Sequence, residues 1–323
     1  MFKGLKKSIA LSKYTTFKIG GKAKYFFIAK NKEDLIAVLK WVKECNEKIF
    51  ILGGGSNALF SDKGFNGLVI KLEFDEISVK GDMISAGAGA KISKLLDICL
   101  RNSLTGLEWA SGIPGITIGG AIRGNAGAFG GCMGDMVKSV ETLRCNISNH
   151  EIKIFDKKEC NFGYRNSIFK KEENHIILAA DLRMKKGARK AIEAEIKKIL
   201  LSRNKNQPLG YPNAGSVFKN VNLPQSFDGA QRERALACRS VMYNGIPCEF
   251  KKMGVIPAGW LIEQCGLKGR KRGGAMVSLK HANIIVNYKN AKAKDVLGLM
   301  VIIEKEVKKK FGIELEREIE VVA

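Results

Sequence analysis

The stretch ILGGGSNA, residues 51–58, decides how the rest of this chain is read. The apolar run KIFIL at 48–52 ends in Gly53-x-Gly55-x-x-Ala58, with acidic residues about twenty positions on, which satisfies the relaxed dinucleotide-binding fingerprint. That fingerprint needs its third small residue to open a helix whose N-terminus faces a pyrophosphate. Here Ser61, Asp62 and Gly64 interrupt the chain within a few residues and GLVIKL at 67–72 starts a new strand, so no such helix fits. A glycine turn after a strand remains. Its successive backbone N–H groups form an anion-binding concavity, to which Ser56 and Asn57 can add side-chain hydrogen bonds.

Working outward, KYFFIA at 24–29 reads as a strand, and Asn31 caps a helix whose Leu35, Val38, Leu39 and Val42 share one face. With the strands at 48–52 and 67–72 this is a small α/β unit. The next stretch is rich in strands, at 76–79, 83–86, 137–146, 151–156 and 175–184, interrupted by a helix over 91–101. A lysine-rich helical connector at 187–201 leads to Pro208 and Pro212, which mark a boundary. Beyond it the pattern predicts a helix at 258–265, strands at 275–279 and 283–287, a long helix with Val296, Leu299, Met300, Ile303 and Val307 on one face, and a final strand. The expected division is therefore 1–75, 76–200 and 201–323, with no internal repeat.

Two further stretches carry chemistry. SGIPGITIGGAIRGNAGAFGG at 111–131 packs eight glycines into one loop, with Pro114 stiffening its entrance. Such glycines let backbone approach a ligand, although a turn-rich barrel corner uses them too. NAGSVFKN at 213–220 sets Ser216 between a glycine and the pair Lys219 and Asn220, so that a hydroxyl, a cation and an amide can meet one anionic ligand. A polar turn entering a strand would have the same composition.

Composition limits the alternatives. A chain of 323 residues with 45% apolar content buries a large core, and its 35 glycines are clustered rather than periodic. The formal charge of +23 invites a nucleic-acid partner, but the cations are spread along the chain and the densest run, Lys268 to Arg272, holds only four, so a solvated face is the default and no nucleic acid is expected. No apolar run is long enough to span a membrane, and MFKGLKKSIALSKYTTF lacks the apolar core of a secretory signal; a cytoplasmic protein is expected, with a monomer favoured. The eight cysteines show no CxxC or His–Cys spacing, which predicts free, mostly buried thiols and no metal.

Taken together, GGGSN, the GIPG…GGA…NAGA loop, YRNSIF at 164–169, NAGSVFKN, AGWLIEQCGLKG at 258–269, KHANIIVN at 280–287 and the closing LEREIEV resemble the UDP-N-acetylenolpyruvoylglucosamine reductase family in one order over nearly the whole chain. The resemblance implies an α+β fold. Two subdomains form an FAD-binding domain of the vanillyl-alcohol oxidase (PCMH) type, and a C-terminal α+β domain binds the substrate. It implies FAD and NADPH, a small-molecule nucleotide-sugar substrate, UDP-N-acetylglucosamine enolpyruvate, and a role in peptidoglycan precursor synthesis. His281 is similar to the branch that lacks an extra tyrosine-bearing loop.

Carried onto this chain, the family's catalytic arginine falls on Arg165, its proton-donating serine on Ser216 and its catalytic glutamate on Glu318. Flavin contacts fall on Gly53, Gly54, Gly55, Ser56 and Asn57, and on Gly112, Ile113, Pro114, Gly115, Gly119, Gly120, Asn125, Ala126 and Gly127. Asn220, helped by Lys219, falls where the substrate phosphates are met. Glu318 by residue type alone is equally an edge-strand acid among Glu314, Glu316 and Glu320. One departure stands out. Residues 221–257 intervene where the family passes quickly to the AGWLIEQ helix, and Arg232, Arg234 and Arg239 there are candidate phosphate contacts on a short amphipathic helix. The chemistry suits the residue types: reducing an enol ether conjugated to a carboxylate leaves an enolate, which a planar guanidinium stabilises better than a lysine.

Overall fold

Parallel strands need a crossover, and the asparagine-capped helix supplies it. In the computed structural model, which describes residues 2–145, 150–172, 174–222 and 246–323, strand Lys22–Ala29 lies between Lys6–Ala10, antiparallel, and Phe65–Leu72, parallel. Ile49–Leu52 completes this four-stranded sheet on the far side of Phe65–Leu72. Helix Lys32–Cys45 makes the crossover. Asn31 Oδ1 accepts from the Asp34 amide at 2.7 Å, Asn46 closes the helix at φ 51°, and the buried face is Leu35, Val38, Leu39 and Val42 as the periodicity predicts. Each such side chain contributes about 1.5–3 kcal/mol by leaving water.

After the glycine turn the chain continues as a strand, Ala58–Phe60, and not as a helix. Sequence reading missed this strand, because three residues are too few to show a period. Its partner lies at the far end of the chain: Glu320–Val322 pairs with it in parallel, Glu320 beside Ala58. The site is built on that pairing.

The strand-rich stretch forms one antiparallel sheet in the order His150–Asp156, Val137–Cys145, His175–Arg183, Met83–Gly87, Ile77–Lys80. Its strands lie within a few residues of the expected ranges. One continuous apolar cluster, including Leu35, Leu68, Ile84, Ile118 and Leu178, joins it to the first sheet. Helix Arg189–Asn206 is longer than expected, running until the residue before Pro208 is forced out of helical geometry. Beyond it a sheet of Asn213–Ser216, Ile284–Asn287, Ala275–Val277 and Lys271–Arg272 packs with helices Ala258–Gln264 and Ala293–Phe311. Val296, Leu299, Met300, Ile303 and Val307 all face that second core.

Val221–Asn222 pairs antiparallel with Val255–Ile256, so the 221–257 segment leaves and returns at one place. Residues 223–245, with Arg232, Arg234, Arg239 and the short helix expected there, lie outside the described residues. The expectation of mostly buried thiols is corrected. Of the six cysteines described, Cys99 and Cys160 are buried, Cys132 and Cys265 half-buried, and Cys45 and Cys248 exposed. Burial pushes the Cys99 and Cys160 thiols up to about 12, which leaves them inert at neutral pH. No helix among the described residues is long and apolar enough to cross a membrane.

Candidate active site

The two glycine loops pack backbone against backbone. A Cβ on Gly54 would sit 1.6 Å from the Gly115 carbonyl oxygen, and one on Gly55, at φ +64°, would sit 2.2 Å from that of Tyr14. These glycines are required by the contact between loops. Gly120 and Gly124 differ: the nearest atom to an added Cβ is at an ordinary contact distance, 3.5 Å at Gly120 and 3.7 Å at Gly124, and both border open space.

That space is a cavity of about 510 Å³. Of the residues expected to hold a cofactor, Gly53, Gly54, Gly55, Ser56, Asn57, Ile113, Pro114, Gly119, Gly120, Ala126 and Gly127 line it. Gly112, Gly115 and Asn125 do not. Gly112 backs onto Leu200 and Arg203, and Gly115 meets Gly54. Asn125 is buried, donating to the Gly163 carbonyl at 2.9 Å and accepting from the Gly134 amide at 2.8 Å.

One wall of the cavity is made by the end of the chain. Glu318 donates its amide to the Val217 carbonyl at 2.7 Å, and its own carbonyl accepts from Asn57 Nδ2 at 3.0 Å. One residue therefore ties the NAGSVFKN segment to the GGGSN turn. Arg165 Nε donates to Glu318 Oε1 at 2.5 Å. Burial lifts the Glu318 carboxyl above the ordinary glutamate range, although the Arg165 charge opposes the rise. Arg165 itself sits at φ +52°, a left-handed conformation that a bulky side chain adopts at a cost, and strain of this kind concentrates at functional sites. Ser216 ends its strand on the same cavity wall, after Gly215 at φ +73°.

Lys219 and Asn220 lie on a second, smaller cavity of about 290 Å³ that they share with Tyr164, Glu314 and Glu316. The Lys219 ammonium pairs with Glu316 at 2.5 Å, the Asn220 side-chain oxygen accepts from the Ala258 amide at 3.2 Å, and the Asn220 amide donates to the Tyr164 hydroxyl at 3.1 Å. The two cavities meet in sequence at Tyr164 and Arg165, one lining each.

Sequence reading passed over several cavity residues. Arg123 pairs with Glu320 through both terminal nitrogens, at 2.8 and 3.2 Å. Lys170 lies one residue beyond the YRNSIF motif, an offset that counting from Arg165 would have found. Arg203 is buried near the end of a helix read only as a lysine-rich connector. It donates to the Trp109 carbonyl at 3.0 Å and to Gln207 Oε1 at 3.3 Å, while its Nε has no partner among the described residues. Thr117 Oγ1 is likewise buried and unpartnered beside the cavity. Buried polar atoms left without partners call for a missing one. A guanidinium with no carboxylate in reach among the described residues, an orphan hydroxyl and cavity-lining glycine backbone suit the pyrophosphate of an FAD.

Fold and cavity together fit an α+β flavoprotein. A family model described as FAD binding domain matches residues 23–146, and one described as UDP-N-acetylenolpyruvoylglucosamine reductase, C-terminal domain, matches residues 207–322. The chain is 35% identical over 318 residues to the UDP-N-acetylenolpyruvoylglucosamine reductase of Solibacter usitatus, covering 98% of this chain and 96% of that one. It is 39% identical over 313 residues to that of Caldanaerobacter subterraneus, covering 97% and 91%. The crystal structure of the Thermus caldophilus UDP-N-acetylenolpyruvylglucosamine reductase superposes with a TM-score of 0.74 at 31% identity, covering 98% of both chains. The chain belongs to the UDP-N-acetylenolpyruvoylglucosamine reductase family.

Proposed function

We propose that this protein reduces UDP-N-acetylglucosamine enolpyruvate to UDP-N-acetylmuramate with NADPH, in the cytoplasm, through FAD held by residues 1–200, with substrate held by residues 201–323. The observation that carries the reading is the Arg165–Glu318 pair at 2.5 Å on the wall of the cavity that the GGGSN turn and Ser216 also line. Bound FAD would supply the hydride-transfer chemistry that the side chains lack. Thr117, Arg203 and the open backbone at Gly120 and Gly124 would hold it.

The remaining work belongs to the chain. Arg165 keeps its charge and offers planar donors to the oxygens on which the enolate charge settles. Glu318, with its carboxyl raised by burial, retains its proton more readily than an ordinary glutamate and can donate it to a second carboxylate oxygen. Ser216 Oγ gives its proton to the α-carbon, because an enolate is basic enough to take one from an alcohol when cations stand nearby.

Following the two half-reactions separately by stopped flow tests this reading. The purified protein should show a bound-flavin spectrum that NADPH bleaches and the enolpyruvyl substrate restores. Ser216→Ala should keep the flavin and its reduction while losing most reoxidation by substrate. Unchanged reoxidation in that variant removes Ser216 from the mechanism, and a colourless protein removes the function.

A further inference from the structure

Four cations line the large cavity, and they fall into two kinds. Arg123 is paired with Glu320 and Arg165 with Glu318. Lys170 and Arg203 have no carboxylate within 4.0 Å among the described residues. Arg203 lies beside Trp109 and Gly112, at the second glycine loop. Lys170 lies at the reacting end, and its ammonium donates to the Arg165 carbonyl at 3.4 Å. Even with both ion pairs charged, that wall keeps one net positive charge at Lys170.

We propose that Lys170 is a substrate-binding cation, which takes the carboxylate of the enolpyruvyl group alongside Arg165. The assignment rests on the function proposed above. Arg165 meets Glu318 through Nε, so an arriving carboxylate must share that guanidinium with an acid already there. Among the described residues Lys170 makes one long hydrogen bond and keeps further donors, on a half-buried side chain whose charge matches a single carboxylate.

The groups acting on Lys170 come from four directions. Arg165 precedes it in its own segment, Arg123 belongs to the glycine-loop helix, Lys219 to the NAGSVFKN segment, and Glu318 and Glu320 to the end of the chain. Burial, with Lys219 and Arg123 nearby, draws its pKa below the ordinary lysine value in spite of the two acids. A bound carboxylate offsets that repulsion, so binding and protonation are linked. The ammonium is present below the lowered pKa and lost as pH rises through it. Substrate affinity should therefore fall on the alkaline side.

The test titrates the flavin absorbance of the holoenzyme with UDP-N-acetylglucosamine enolpyruvate and, separately, with UDP-N-acetylglucosamine, which lacks the carboxylate. Lys170→Met should weaken the first ligand by about ten- to a hundredfold and the second by less than about twofold. Lys170→Arg should recover most of the loss and hold affinity to higher pH, because a guanidinium does not titrate there. Equal weakening of both ligands, or of neither, overturns the assignment while leaving the function intact. Should Lys170→Met lose its flavin, the alkaline limb of Lys170→Arg decides: a limb unchanged from wild type overturns the proposal. Wild-type protein that takes up no flavin, or shows no response to the enolpyruvyl ligand, overturns the function and the assignment together.

Discussion

Two arginine–glutamate pairs hang from the last strand and its approach, and they differ in what surrounds them. Glu318 and Glu320 are two residues apart, so both turn to the same cavity, where Arg165 meets one and Arg123 the other. The Arg123–Glu320 pair is doubly bonded, and each side chain is 33% exposed. The Arg165–Glu318 pair is joined through the arginine Nε, with the glutamate 15% exposed and its carboxyl raised by burial. Geometry alone favours the first pair as the stronger. Burial suits the second to the proposed chemistry, because a desolvated acid holds its proton more tightly than an ordinary carboxyl.

If the comparison holds, the largest effect comes from the buried pair. Arg165→Lys should cost about 2–4 kcal/mol of transition-state stabilisation, read as a drop in kcat/KM of about thirty- to a thousandfold. A lysine presents a point charge where planar donors are needed. Near wild-type turnover in Arg165→Lys would sink the idea that Arg165 clamps the enolate.

The next test concerns stability and its sign. The Glu318 carboxyl is raised in the folded protein, so the folded state binds that proton more tightly than the unfolded chain. Its contribution is most favourable below the ordinary glutamate pKa and is progressively lost as pH rises through the raised one. Glu318→Gln cannot titrate. Urea unfolding across this range should therefore show the variant gaining stability relative to wild type as pH increases. A difference that stays constant with pH would mean that Glu318 is not desolvated, and the contrast between the two pairs would collapse.

How much of this was legible depended on whether a feature is local. The face of helix Lys32–Cys45, its Asn31 cap and the strands of the five-stranded sheet follow from periods of 3.6 and 2 over short windows. The rejection of a nucleotide-binding helix after Gly55 also stood on local breakers, and a strand is found there. The pairing of Glu320–Val322 with Ala58–Phe60 was not legible, since nothing in either three-residue run names the other. Glu318 could be chosen among four nearby glutamates only through resemblance. Its burial and its Arg165 partner are products of that distant pairing. Gly54 was read as a ligand-facing residue, but its missing Cβ also answers to the Gly115 backbone, a contact that sequence spacing cannot reveal.

The smallest effect should come from the outer pair. Exposed ion pairs contribute about 0.2–1 kcal/mol once solvent screening and side-chain ordering are included. Arg123→Met should therefore lower unfolding stability by no more than about 1 kcal/mol and weaken at high salt, with flavin content unchanged. The double exchange Arg123→Glu with Glu320→Arg should restore part of that loss, because it keeps opposite charges at the two positions on one cavity wall. Exchanging the inner pair in the same manner should restore nothing in turnover, since an arginine at 318 has no proton to give and a glutamate at 165 cannot face an enolate. If the outer exchange were as damaging to turnover as the inner one, Glu320 would belong to the reacting wall, and burial would not be what separates the two pairs.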